Sequence, residues 1–185
     1  MKVTPLSISD VLLIEPKIFK DERGYFFESF NQKTFNEATN TNILFVQDNH
    51  TESFRGVLRG LHYQKSPMAQ AKLVRVIEGE VFDVVVDLRH KSATFGQWLS
   101  TILSKDNQKQ LFIPEGFAHG YLTLSDHATF LYKTSQFYSP EHERSIRWDD
   151  ETLNINWPKE DRVMVSSKDS NAIFFDRSKT YFNLS

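Results

Sequence analysis

Apolar and polar residues alternate in short stretches along this chain, and turn residues interrupt them before a helical face can develop. Residues 11–16 (VLLIEP) predict an early strand ended by proline. The Asp21-Glu22-Arg23-Gly24 turn leads into an aromatic run over residues 25–30. Residues 31–39 are the best short-helix candidate, with polar positions around Phe35 and Ala38, and residues 43–49 read as extended. The β-branched runs 72–77 and 81–88 are joined by Glu78-Gly79-Glu80, the pattern of a hairpin. Further strands are predicted over 98–103, 110–113, 120–124 and 128–134. Residues 149–157 and the tail beyond Lys168 read as irregular, with short helical turns. Many short strands at close spacing predict a sandwich or barrel rather than a βαβ fold. No repeat, low-complexity tract or linker divides the chain. The expectation is a single mainly β domain over 1–185 with a few short helices.

Composition narrows the class of partner. The 22 Lys+Arg against 24 Asp+Glu give a formal net charge of -2, and no basic run offers a field for nucleic acid. Cysteine is absent, which removes disulfides and thiolate metal sites. The first ten residues lack the apolar core of a signal peptide, and no apolar run approaches a membrane span. The expectation is a soluble cytoplasmic protein. The 16 phenylalanines favour a β-rich core or a stacking site.

Candidate chemistry concentrates in three segments. Leu58-Arg59-Gly60-Leu61-His62-Tyr63-Gln64 has a counterpart in Phe112-Ile113-Pro114-Glu115-Gly116-Phe117-Ala118-His119-Gly120, and Ala71-Lys72-Leu73-Val74-Arg75 lies between. Two histidines, a lysine and an arginine on separate β segments suggest one polar pocket inside a barrel. A metal site built on His62 and His119 would need further ligands. Tyr63 and Gln64 stand where a second histidine would serve, and Lys72 stands where a carboxylate would. An ammonium there opposes a divalent cation, so no metal is expected.

Histidine with lysine suits proton abstraction beside a carbonyl instead. Histidine accepts the proton near neutrality, and a fixed cation stabilises the enolate oxygen that develops. Tyr132 is a candidate acid, and Asp169 or Asp83 could orient the base. Each residue also has a plainer reading. His62 could be a satisfied core histidine, Lys72 a solvated strand end, Tyr132 a packed tyrosine and Asp169 part of a surface turn. On a regular strand Arg59 and His62 fall on opposite faces, unless Gly60 carries a bulge.

The motifs taken together resemble the dTDP-4-dehydrorhamnose 3,5-epimerase family over nearly the whole chain. The matching stretches include Asp21-Glu22-Arg23-Gly24, Phe27-Glu28-Ser29, Phe45-Val46-Gln47-Asp48-Asn49-His50 and Leu58-Arg59-Gly60-Leu61-His62. They continue through Lys72-Leu73-Val74-Arg75, Gly79-Glu80-Val81-Phe82-Asp83-Val84, Phe95-Gly96-Gln97-Trp98, residues 113–119, Tyr138-Ser139-Pro140 and Ser167-Lys168-Asp169. The resemblance implies a cupin-like jelly roll that works without metal or cofactor and forms a homodimer. It implies epimerisation at C3 and C5 of a dTDP-linked 4-keto-6-deoxy hexose, with a mono-epimerase as the alternative. His62 would then be the base, paired with Asp169. Tyr132 would be the acid, and Lys72 would stabilise the enolate. His119 and Arg59 would lie near sugar and phosphates. Arg23, Glu28, Gln47, Asp48, Asn49, Glu143 and Lys168 would contact the nucleotide sugar, while Tyr138 and Phe27 would hold its thymidine end.

Overall fold

The computed structural model describes residues 1–182. In chain order the strands are β1 (Lys2–Pro5), β2 (Leu12–Glu15), β3 (Phe19–Asp21), β4 (Gly24–Phe26), β5 (Gln47–Phe54), β6 (Leu58–Gln64), β7 (Lys72–Glu78), β8 (Glu80–Asp87), β9 (Trp98–Ser104), β10 (Gln110–Ile113), β11 (Phe117–Thr123), β12 (His127–Thr134) and β13 (Glu143–Ser145). Two short helices, α1 (Gln32–Thr39) and α2 (Ser167–Ser170), complete the set. One sheet has six strands, in the order β1-β2-β10-β7-β12-β5, and faces a second of five, β13-β6-β11-β8-β9. All strand pairings in both are antiparallel. This is the expected cupin-like jelly roll.

The main core lies between the sheets, where inward residues such as Val74, Val76, Val85, Leu111, Phe117 and Phe130 interlock. Burying each such side chain is worth roughly 1.5–3 kcal/mol, so the facing sheets carry most of the stability. Two smaller clusters cover the outer faces. Leu61, Val84, Val86, Ile146, Phe175 and Tyr181 pack beneath the C-terminal segment, and Ile14, Leu73, Phe112 and Phe35 pack beneath α1. A strand covered on both sides loses the clean apolar-polar alternation, which is why β8 carries three successive buried valines, Val84 to Val86.

The helix forms where the periodicity predicts it. Asn31 caps it by accepting the Thr34 N–H at 3.1 Å, and Asn40 ends it in the left-handed region at φ 53°. Two expectations need correction. Strand β5 starts at Gln47 rather than Ile43, because Gln32 on α1 captures the carbonyl of Ile43 at 2.6 Å and the N–H of Phe45 at 3.3 Å. Residues 43–45 therefore serve α1. The runs around Gly79 are not a hairpin either. β7 pairs with β10 and β12 in one sheet, while β8 pairs with β11 and β9 in the other. Gly79, at φ +73°, turns the chain from sheet to sheet, and an added Cβ would sit 2.1 Å from the His127 carbonyl oxygen.

Candidate active site

Between the sheets at one end lies a cavity of about 250 Å³ lined by Arg59, His62, Lys72, His119 and Tyr132, with Tyr138 and Glu143 toward its mouth. His62 is on β6 of the five-stranded sheet, whereas Lys72 on β7 and Tyr132 on β12 belong to the six-stranded sheet. The imidazole and the phenol therefore approach the cavity from opposite walls. Arg59 and His62 both reach it because β6 carries a bulge. The register with β11 runs His119 opposite His62, then Tyr121 opposite Arg59, leaving one extra residue on β6. Gly60 sits in that irregularity at φ +121°, and a Cβ there would meet Gly120 Cα at 2.6 Å.

His62 Nε2–H donates to Asp169 Oδ1 at 2.5 Å. Asp169 is 2% exposed. Its own backbone N–H is held by the Ser166 hydroxyl at 3.1 Å, the cap of α2. Burial would raise the Asp169 carboxyl, but the hydrogen bonds from His62, Gly60 N–H and Ser166 together hold it below the usual carboxylate range. An anion fixed on Nε2 leaves Nδ1 free to take a proton and stabilises the imidazolium that results.

A second imidazole–carboxylate pair lies beside the first. His119 Nε2–H donates to Asp83 Oδ2 at 2.9 Å, and Asp83 is fully buried. Burial raises the Asp83 carboxyl even though His119 and Lys72 oppose the rise. Burial also pushes the Lys72 ammonium down to about 8, against the attraction of Asp83 and Glu143. Its hydrogen bond goes to the His62 carbonyl oxygen at 3.3 Å. Lys72 is thus a buried cation, not a solvated strand end. Tyr132 is half-buried; burial, then Tyr121 and Glu143, raise its phenol while Arg59 opposes them. Such a phenol keeps its proton at neutral pH.

The mouth is built differently. The Tyr138 hydroxyl donates to Glu143 Oε2 at 2.7 Å, and Lys168 forms an ion pair with Glu143 Oε1. Burial would raise Glu143, but those two partners hold its carboxyl low. Gln47 accepts the Tyr138 N–H at 2.9 Å and donates to Asn49 Oδ1 at 2.9 Å. Asn49 Nδ2 is a buried donor without a partner among the described residues.

Gln47, Asn49, Lys168 and Asp169 join this cavity only through their bonds to one another or to its lining residues. Four other predicted site residues are not brought to it at all. Asp48 points to the outer face of β5, where it pairs with Lys133 at 2.6 Å; strand alternation separates it from Gln47 and Asn49. Arg23 sits on the β3–β4 hairpin in an exposed pair with Asp21 at 2.5 Å. Phe27 stacks on Tyr25. Glu28 lines a separate, mostly apolar cavity of about 340 Å³ under that hairpin. Conversely, Gln64, Gln70, Thr51 and Tyr121 line the active cavity without having been singled out. The period of two would have found Gln64 and Tyr121, which lie two residues beyond His62 and His119. Tyr121 also shares hydrogen bonds with Thr51 at 3.0 Å and Ser53 at 3.1 Å, and Ser53 accepts from Arg59 Nε at 3.0 Å.

Among the described residues no group of three or more His, Cys, Asp or Glu is arranged to hold a metal ion. Fold and cavity together define a class: a cupin-like jelly roll in which an imidazole–carboxylate pair, an ammonium and a phenol converge, the equipment for moving protons on carbon. The particular family follows from comparison with known proteins. The dTDP-4-dehydrorhamnose 3,5-epimerase family model matches residues 5–177, and the chain belongs to that family. It is 58% identical to the dTDP-4-dehydrorhamnose 3,5-epimerase of Pseudomonas aeruginosa over 91% of this chain and 93% of that protein. The enzyme of that name from Shigella flexneri is 57% identical over 92% and 94% of the two chains. The crystal structure of dTDP-6-deoxy-D-glucose-3,5-epimerase from Legionella pneumophila in complex with dTDP-4-keto-L-rhamnose superposes with a TM-score of 0.91. Its identity is 50%, covering 94% of this chain and 92% of that one. The chain is accordingly an isomerase. No helix among the described residues is long and apolar enough to cross a membrane.

Proposed function

We propose that this chain epimerises C3 and C5 of dTDP-4-dehydro-6-deoxy-D-glucose to dTDP-4-dehydro-L-rhamnose, a step toward dTDP-L-rhamnose, with His62 as base and Tyr132 as acid. One observation carries the assignment of roles: an oriented base and a protonated phenol line the same cavity from opposite sheets, with a buried ammonium on the strand beside the phenol's, bonded to the His62 carbonyl oxygen.

The ketone at C4 acidifies the hydrogens at C3 and C5. His62 Nδ1 accepts one of them, the electron pair moves into the carbonyl, and the C4 oxygen becomes an enolate. Lys72 stabilises that oxygen. Tyr132 then delivers its proton to the opposite face of the planar carbon, which inverts the centre. His62 returns its proton to solvent and the Tyr132 phenolate recovers one, so the catalyst is unchanged and nothing is oxidised. A turn of the sugar ring presents the second carbon to the same groups.

Arg59 and Lys168 supply cations for the diphosphate. The exposed ring of Tyr138 fits a thymine base. Arg23, Phe27 and Glu28 belong to a hairpin region whose Phe19, Tyr25 and Phe26 are 53%, 54% and 69% exposed. A homodimer would cover the exposed rings of this hairpin.

The test is NMR in deuterated water with dTDP-4-dehydro-6-deoxy-D-glucose. Deuterium at both C3 and C5 is the expected result. Deuterium at one carbon only would make the protein a mono-epimerase, and none at either would refute the assignment.

A further inference from the structure

We infer that Gln64, a residue with no part in the proton transfers, is a positioning residue that sets the affinity for the nucleotide by holding Tyr138 in place. The inference rests on the reading that Tyr138 stacks on the base. Tyr138 is 54% exposed and lies on a loop between β12 and β13, outside both sheets. A ring so exposed has little packing, only its hydroxyl being held, by Glu143, and a stacking platform whose backbone must be ordered at each binding event loses affinity to the ordering.

The loop is ordered by side-chain amides rather than by a strand ladder. Gln47 accepts the Tyr138 N–H, Gln136 accepts the Phe137 N–H at 2.9 Å, and Gln70 donates to the Gln136 carbonyl at 2.8 Å. Gln64 is the buried centre of this clamp, 4% exposed. Its amide nitrogen donates to the carbonyls of Met68 at 2.6 Å and Phe137 at 3.1 Å, and its oxygen accepts the Ser139 N–H at 2.7 Å. The residues before and after Tyr138 are therefore pinned by one side chain. Two carbonyls on the nitrogen and an N–H on the oxygen also determine which way the amide faces. Both donor hydrogens are consumed, so although Gln64 borders the cavity it has none left for a substrate.

Gln64→Met keeps the volume and removes all three bonds; Gln64→Glu keeps the acceptor and sets a carboxylate against two carbonyls. Each is measured with dTDP as the binding probe and the full substrate for turnover. The expected result is a rise of about tenfold in the dTDP dissociation constant and in KM, with kcat at saturation within about twofold of wild type, as for loss of one or two net hydrogen bonds. Tyr138→Ala weakens dTDP similarly, and the Gln64→Met, Tyr138→Ala double variant is no weaker than Tyr138→Ala alone. Additive losses, or a fall in kcat with KM unchanged, would overturn the inference. Gln136→Ala, at the solvent side of the same clamp and free of the core, should shift dTDP binding about threefold in the same direction; no shift counts against the clamp. If Tyr138→Ala binds dTDP as wild type does, the stacking reading itself fails. If it binds weakly while the Gln64 variants bind normally, only the role of Gln64 is lost.

Discussion

The interior of the cavity and its mouth are built by different means. His62, Lys72, His119 and Tyr132 all stand on strands, so ladder hydrogen bonds and strand register fix each Cα before any side chain is chosen. Tyr138 stands on a loop whose backbone is satisfied by glutamine side chains, and Arg23 stands on a two-stranded hairpin apart from both sheets. Proton transfer demands reacting atoms within a few tenths of an ångström, which rigid strands supply. Holding a nucleotide tolerates more play, and a looser rim lets it enter and leave. Chemistry should therefore fail when the interior is altered, and affinity when the mouth is.

The largest effect is expected from His62→Ala. Turnover should fall about 10³-fold, with deuterium exchange lost at both carbons, because the base acts at each centre. Exchange at the wild-type rate would remove His62 from that role. Tyr132→Phe keeps the ring and its packing against Phe130 while removing the acid. Turnover should fall about 10²-fold, with reprotonation impaired more than proton removal. Equal loss in both steps would speak for a structural role.

A third, intermediate effect comes from pH. Lys72 is held at about 8 against an ordinary 10.5, so kcat/KM should fall as pH rises through about 8, when the enolate loses its cation. Stability should move the other way for this group. Between about 8 and 10.5 the unfolded chain binds more protons at Lys72 than the folded one, so its contribution to folding improves with pH. A descending activity limb with no loss of melting temperature from Lys72 separates the two; the limb should vanish in Lys72→Met. The smallest effect is expected at the rim. Arg23→Ala should raise KM about tenfold and leave kcat alone, as for one exposed charge-assisted contact. A collapse of kcat there would place the hairpin in the chemistry.

Much of the interior could be read from the chain. Alternation predicted most of the strands, though not β1, β3, β4 or β13, and residue chemistry offered an imidazole base, an ammonium and a phenol. The parity conflict between Arg59 and His62 even pointed to the bulge at Gly60. The mouth was less legible. Its residues lie on loops and on a hairpin, where no period of two or 3.6 constrains direction. Asp48 shows the cost of reading a motif as a unit: it sits between Gln47 and Asn49 in sequence but on the other side of the sheet.

By itself the sequence determined the mainly β fold, the short capped helix and the set of groups available for proton transfer, because these depend on local pattern and on side-chain chemistry. Tertiary structure decided which runs share a sheet and, where residue chemistry left Asp169 and Asp83 both open, set Asp169 against His62 and Asp83 against His119. It also buried Lys72 and lowered its pKa. Those outcomes depend on which distant segments meet and on how far water is excluded where they do, and neither quantity is encoded in the spacing of residues along the chain.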